Sequence, residues 1–177
     1  MTYLFNQLEQ GIPFSKAIID AREKGYAEPD PRDDLSGEDV ARKFLTLART
    51  LGINIEREEL KVESLIPKEL KNVDGKTFLE KLPDYDSEWK QRIQAAKDRN
   101  NTLRYTGKLK NGNITIGIES VSKDSPLGQL KGTDNLIQIF TGFYNETPLV
   151  IQGPGAGKEV TASGVLSDII KTADQIT

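Results

Sequence analysis

The sequence predicts an α+β fold, with helices packed on a mainly antiparallel or mixed sheet. Three observations carry this. Apolar residues recur at three- and four-residue spacing through much of the first hundred positions. From Thr102 the pattern changes to residues that favour strands, interrupted at Asn111-Gly112 by a strong hairpin signal. From Val160 to Ile176 the helical spacing returns.

Residues 3–10 read as a short helix closed by Gly11 and Pro13, and as a helix already under way where the sequence opens. Ser15 to Lys24 forms a second helix, with Ala17, Ile18 and Ala21 on one face and Gly25 just past its end. Residues 26–35 contain Pro29 and Pro31, which bias their neighbours toward extended backbone, so no helix is expected there. Gly37 to Leu51 is the clearest helix. Ser36 and Asp39 fit a capping box, and Val40, Phe44, Leu47 and Leu51 recur at helical spacing, with Ala41, Leu45 and Ala48 beside them. Residues 53–82 hold short helices and one strand near Leu60 to Val62. Ser87 to Asn100 is helical, with Trp89, Ile93 and Ala96 inward. Strands follow at Thr102 to Leu109, Ile114 to Val121, Leu136 to Phe143 and Pro148 to Gln152, before the closing helix.

Composition narrows the chemistry. The chain has 177 residues, enough for one domain, and neither cysteine nor histidine. Disulfides, thiolate metal sites, a His-ligated zinc and a Ser-His-Asp triad are therefore excluded within it. Proton transfer falls to Asp, Glu, Lys or Tyr. A net charge of -3 gives no basic face for nucleic acid or an anionic membrane. No apolar run approaches the ~20 residues of a membrane helix. The opening residues lack the pattern of a signal peptide. A cytoplasmic setting is the expectation.

The most informative stretch is acidic. Glu28, Asp30, Asp33, Asp34, Glu38 and Asp39 face Arg32 alone. A solvated acidic turn before a helix would account for them, because a helix N-terminus welcomes negative charge. A hard-cation site is a second reading, although the spacing is not that of a calcium loop. The third is recognition. Two prolines stiffen the segment, and Asp39 and Lys43 share one helical face distinct from the Val40-Phe44-Leu47 stripe. In a cleft, that lysine becomes a proton donor and acceptor.

The run from Gly25 to Lys43, Gly-Tyr-Ala-Glu-Pro-Asp-Pro-Arg-Asp-Asp-Leu-Ser-Gly-Glu-Asp-Val-Ala-Arg-Lys, closely resembles the signature segment of homoserine dehydrogenases. Tyr3-Leu4-Phe5-Asn6, Phe14-Ser15-Lys16-Ala17, Leu103-Arg104-Tyr105, Gly132-Thr133-Asp134-Asn135 and Gly153-Pro154-Gly155-Ala156-Gly157 look like the same family. The whole looks most like the dehydrogenase part of bifunctional aspartokinase–homoserine dehydrogenases. The resemblance implies NAD(P)-dependent interconversion of L-aspartate 4-semialdehyde and L-homoserine, in threonine, methionine and isoleucine biosynthesis. It implies that Lys43 is the catalytic lysine and that Asp39 binds the substrate amino group. It further implies that Glu28 and Asp34 hold the same zwitterion, that Tyr26 and Gly25 lie in the substrate loop, and that Gly157 lies near the cofactor. No metal ligands are implied among these residues.

Gly153 to Gly157 follows a strand and precedes a helix, yet it is no dinucleotide fingerprint, because no second strand follows to complete a βαβ unit. A tight strand-to-helix turn explains it equally well. In the family the nucleotide-binding Rossmann domain, a second lysine, a Gly-Thr element and a monovalent-cation site precede the segment matched here. The expectation is thus one substrate-binding, catalytic and dimerisation domain over residues 1–177, inactive alone and binding no cofactor alone. Residues 153–177 would pack on the nucleotide-binding domain, leaving an apolar helix face uncovered. A homodimer through the sheet is expected, since Ile114, Ile116, Ile118, Ile137 and Ile139 alternate and leave two faces to cover. A non-catalytic amino-acid-binding module and a ligand-free dimerisation domain are the competing readings. Retained Lys43 argues against the first, and mutually repelling carboxylates argue against the second.

Overall fold

The computed structural model describes residues 1–155 and 157–176, the side chain of Ile176 excepted. Helix α1 (Thr2–Glu9) turns through Gly11, at φ 87°, into α2 (Phe14–Glu23). Leu4, Phe5 and Leu8 from α1 meet Phe14, Ala17 and Ile18 from α2 in a shared core. Trp89 completes that core, stacked on Phe14 at 4.6 Å and edge-on to Phe5 at 6.0 Å. Trp89 belongs to α6 (Asp86–Lys97), whose first residue accepts hydrogen bonds from the Ser15 amide and hydroxyl, each 2.7 Å.

Three further α-helices intervene. In α3 (Pro31–Leu35) proline occupies the first turn, where its missing N–H costs nothing, and the Asp30 side chain caps the Arg32 amide. The extended backbone expected for 26–35 therefore gives way to a helix at Pro31. Helix α4 (Glu38–Thr50) starts from Gly37 in the left-handed conformation, φ 80°. The expected Ser36–Asp39 capping box does not form: the Ser36 hydroxyl accepts from the Glu38 amide, and Asp39 pairs with Lys43 instead. The stripe on α4 also shifts. Ala41 and Ala48 are fully buried, whereas Leu47 is 42% and Leu51 69% exposed. Small residues let the helix lie close to the sheet. Later, α5 (Gly75–Lys81) is capped by Asp74.

The sheet is three-stranded, in the order β1 (Lys61–Val62), β3 (Asn113–Ser122), β2 (Asn101–Lys110), with β1 parallel to β3 and β2 antiparallel to it. Asn111 and Gly112, at φ 52° and 77°, make the expected tight turn. One face is apolar: Leu103 joins the Trp89 core, while Ile114 and Ile116 join a second core under α4 with Ala41, Ala48, Ile55 and Leu60. Tyr105 packs against both cores.

β4 (Asp134–Ile139) and β5 (Leu149–Pro154) form a separate antiparallel pair, so the single sheet of the expectation is two. β4 stops at Ile139, short of Phe143. The Thr141 hydroxyl accepts from the Phe143 and Tyr144 amides, which draws the backbone out of the ladder. The expected alternating isoleucines thus part company. Ile114 and Ile116 are internal, while Ile137 and Ile139 are 47% and 39% exposed. α7 (Lys158–Ile176) closes the chain, with Val165, Leu166, Ile169 and Ile170 all more than half exposed, which matches the uncovered face expected there. Among the described residues no helix is long and apolar enough to cross a membrane.

Candidate functional site

The acidic stretch divides into carboxylates that hold structure and carboxylates left accessible. Asp30 caps α3 and also takes the Arg32 guanidinium, which goes on to reach the Val73 carbonyl and lie over the Phe78 ring. That guanidinium holds the Asp30 carboxyl below its usual range. Glu38 is engaged by the Arg57 side chain, which likewise holds its carboxyl down. Both are structural ion pairs.

Glu28, Asp34 and Asp39 are disposed differently. Asp34 accepts a hydrogen bond from the Glu28 amide at 2.9 Å, so the loop bearing Glu28 is folded back onto α3. Asp39 and Lys43 form an i, i+4 pair at 2.6 Å, with side chains 53% and 59% exposed. An exposed pair of this kind stabilises a helix by only about 0.3–0.5 kcal/mol. Its charges therefore remain available to a ligand at little structural cost. The Met1 α-amino group lies close enough to register these side chains. Burial pushes it below its ordinary value; Asp34 opposes that, Lys43 adds to it and Asp39 opposes it. Asp34, near the end of α3, and the Asp39–Lys43 pair of α4 flank the short joint at Ser36 and Gly37.

At the other end of the loop, Gly25 adopts φ 69° past α2, and the Tyr26 amide donates to the Ala21 carbonyl at 2.9 Å. The Tyr26 ring stands edge-on to Tyr3 at 5.2 Å, and Lys24 lies 5.1 Å from the Tyr3 ring centre. Tyr26 is 40% exposed. The loop from Gly25 to Asp34 is therefore pinned at both ends, by α1–α2 and by α3.

Gly157 stands at the start of α7, at φ 134°; its carbonyl accepts from the Thr161 amide, and no hydrogen bond among the described residues links it to the carboxylates. Ala156, within the expected glycine loop, lies outside the described residues. The described acidic residues do not gather into a group able to hold a metal ion.

Sequence reasoning passed over the residues that seat α4. Gly37 is buried, and a Cβ there would lie 2.0 Å from the Tyr105 hydroxyl and 2.9 Å from Val62. Tyr105 donates to the Glu63 carbonyl at 2.6 Å. Phe44 lies over Gly107, where a Cβ would come within 2.2 Å of its ring. The signal that a close approach was needed lay in the sequence as Gly37 at the start of a helix and Gly107 inside a strand pattern. Arg104 entered the sequence reading only within the Leu103-Arg104-Tyr105 stretch, with no role attached.

Comparison with known proteins agrees with the geometry. The family profile for homoserine dehydrogenase matches residues 1–170. The chain is 43% identical over 175 residues to a bifunctional aspartokinase/homoserine dehydrogenase of Haemophilus influenzae, covering 97% of this chain and 21% of that protein. It is 43% identical over 184 residues to the homoserine dehydrogenase of Saccharomyces cerevisiae, covering 99% of this chain and 51% of that one. The chain thus spans about half the length of one relative and a fifth of the other. A crystal structure of a Candida auris protein of unknown function superimposes with a TM-score of 0.87 at 43% identity, over 99% of this chain and 51% of that one.

Proposed function

The chain belongs to the homoserine dehydrogenase family, and from that premise we propose that it supplies the substrate-binding and catalytic side chains for the NAD(P)-dependent interconversion of L-homoserine and L-aspartate 4-semialdehyde. The supporting observation is the accessible Asp39–Lys43 pair beside the Asp34–Glu28 loop. Homoserine carries an ammonium group, and Asp39, Asp34 and Glu28 offer it fixed negative charge. Tyr26 and Gly25 shape the loop around it. Lys43, one helical turn beyond Asp39, reaches the hydroxyl end. In the oxidative direction the Lys43 side chain takes the C4 hydroxyl proton as the C4–H bond breaks and the carbonyl forms. In the reverse direction its ammonium returns that proton. Bound nicotinamide supplies the hydride exchange at C4. In this proposal the cofactor is held mainly outside these residues, with Gly157 near it.

Two surfaces fit the partners of this reading. The α7 face, with Val165, Leu166, Ile169 and Ile170, suits packing against a nucleotide-binding domain, together with the rest of 153–177. The uncovered β4–β5 face, Ile137, Ile139, Leu149 and Ile151, suits a homodimer contact. A cytoplasmic setting completes the proposal. The test is homoserine-dependent NAD(P) reduction by this chain mixed with the part of the Saccharomyces relative that it does not cover. Activity that appears on mixing and is lost in Lys43→Ala supports the reading. Association without activity, with homoserine still raising the melting temperature, favours a non-catalytic amino-acid-binding module instead.

A further inference from the structure

Asp34 and Asp39 sit on different helices, and only Ser36 and Gly37 separate α3 from α4. The relative placement of the two carboxylates therefore depends on the angle at this joint. Gly37 sets it with a left-handed backbone, and its carbonyl starts α4 by accepting from the Ala41 amide at 3.0 Å.

The joint is clamped from outside. The Tyr105 hydroxyl fills the space where a Gly37 side chain would stand, and its bond to the Glu63 carbonyl keeps it there. Glu63 is itself fixed. Its amide donates to the Ile116 carbonyl at 2.8 Å, and its carboxylate accepts from the Ile118 amide at 2.9 Å. Two residues on, the Leu65 amide donates to the Leu35 carbonyl at 2.8 Å, at the end of α3. One segment, Glu63 to Leu65, is thus bonded to the sheet, to the Tyr105 hydroxyl and to α3. Arg57 holds Glu38 at the first turn of α4. Burial, ahead of the fields of Glu63 and Glu38, pushes the Tyr105 hydroxyl up to about 12, so it stays a donor across any working pH.

We propose that Tyr105 is a positioning residue: wedged between Gly37 and the Glu63 carbonyl, it sets the α3–α4 joint and with it the spacing of Asp34 from the Asp39–Lys43 pair, hence the affinity for an amino-acid ammonium. The part concerning affinity rests on the functional reading above; the part concerning the joint does not. Tyr105 touches neither substrate nor reacting atoms in this scheme, and acts only through Gly37.

Four variants of the full chain test this: Tyr105→Phe, Gly37→Ala, the double variant, and Ile114→Val as a core change that leaves the Tyr105–Gly37 contact and the Glu63 hydrogen bonds in place. Two readouts are taken with the melting temperature, namely L-homoserine affinity by calorimetry and the carboxyl carbon NMR signals of Asp34 and Asp39 without ligand. Tyr105→Phe is expected to weaken homoserine roughly five- to tenfold and to move both carboxyl signals. Ile114→Val is expected to lower the melting temperature with affinity unchanged within twofold. Gly37→Ala is expected to weaken binding more, and less so once the Tyr105 hydroxyl is gone, since that hydroxyl is its nearest obstruction. Tyr105→Phe that lowers the melting temperature yet leaves affinity and carboxyl signals at wild-type values overturns the proposal, as does strict additivity of the double variant. If wild type fails to bind homoserine while the carboxyl signals still move, the joint stands and the ammonium-site reading falls.

Discussion

Truncating Arg104 should be the most damaging single change on the polar side of the sheet. Its side chain is 4% exposed and works as a fork among main-chain carbonyls. It donates to Leu127 at 3.0 Å, Gly128 at 2.6 Å and Leu103 at 2.9 Å, and to the Thr102 hydroxyl at 2.8 Å. Glu9 of α1 lies 3.4 Å away as the charge partner, 28% exposed. Burial pushes the guanidinium below its ordinary value and Glu9 opposes that, so the charge is tolerated because it is fully engaged. Arg104→Ala strands two loop carbonyls at about 1–3 kcal/mol each and leaves Glu9 uncompensated. Allowing for some water entry, the cost is about 3–5 kcal/mol, a large part of a marginal stability. Arg104→Lys keeps the charge but not the fork, and should cost about half. Glu9→Gln should cost about 1 kcal/mol, because the carbonyl bonds survive. Urea unfolding followed by fluorescence of Trp89, the only tryptophan, reads this directly. With a slope of about 2 kcal/mol/M, Arg104→Ala should lower the midpoint by roughly 1.5–2.5 M. A shift under about 0.5 M, or one no larger than that of Glu9→Gln, refutes the carbonyl-fork account.

Further outcomes follow from neighbouring contacts. Gly107→Ala drives a methyl into the Phe44 ring and should cost about 1–3 kcal/mol by urea unfolding, partly recovered by adding Phe44→Leu. Lys43→Ala should change stability by less than about 0.5 kcal/mol, since its pair is exposed, while lowering dehydrogenase turnover in the mixing assay by roughly 10²–10⁴-fold. The folded state raises Tyr105 from about 10 to about 12, so its contribution is complete below pH 10 and lost as pH rises to 12. Urea midpoints across that window should fall more steeply for wild type than for Tyr105→Phe. Asp30 and Glu38 are lowered by Arg32 and Arg57, so their contribution is present above the ordinary carboxylate range and disappears as pH falls through and below it. Glu38→Gln should flatten the acid limb of the same titration.

Much of the fold was legible because local rules and burial agreed. The helical spacing around Trp89, Ile93 and Ala96, the Asn111-Gly112 turn and the strand pattern from Thr102 each point to one structure. The failures have local causes. Pro31 was read as a helix breaker, yet at a first turn it is a helix starter once Asp30 supplies the cap. The stripe on α4 was read to include Leu47 and Leu51, yet the helix packs through Val40, Phe44, Ala41 and Ala48 and leaves those two leucines outside. The separation of β4–β5 from the main sheet is set by which backbone edges meet, and residue pattern does not report that. At the site, the accessible charges were legible as a run of acidic residues ending in Lys43. Which of them are consumed structurally was not, because Arg32 lies only two residues from Asp30 while Arg57 reaches Glu38 from beyond the end of α4. Tyr105 was invisible for a simpler reason: its partner is a main-chain carbonyl.

The clamp on the α3–α4 joint has a consequence for how the site comes into being on the ribosome. Its charged groups all lie before residue 44, but the groups that seat them, Glu63 and Tyr105, arrive much later, and the strand that fixes Glu63 later still. At about 5–20 residues per second, several seconds of synthesis separate Lys43 from Ile118. Over that interval the acidic loop and α4 lack the Glu63 and Tyr105 contacts that clamp the joint. The clamped spacing of Asp34 from the Asp39–Lys43 pair is thus completed only once the β2–β3 hairpin has closed.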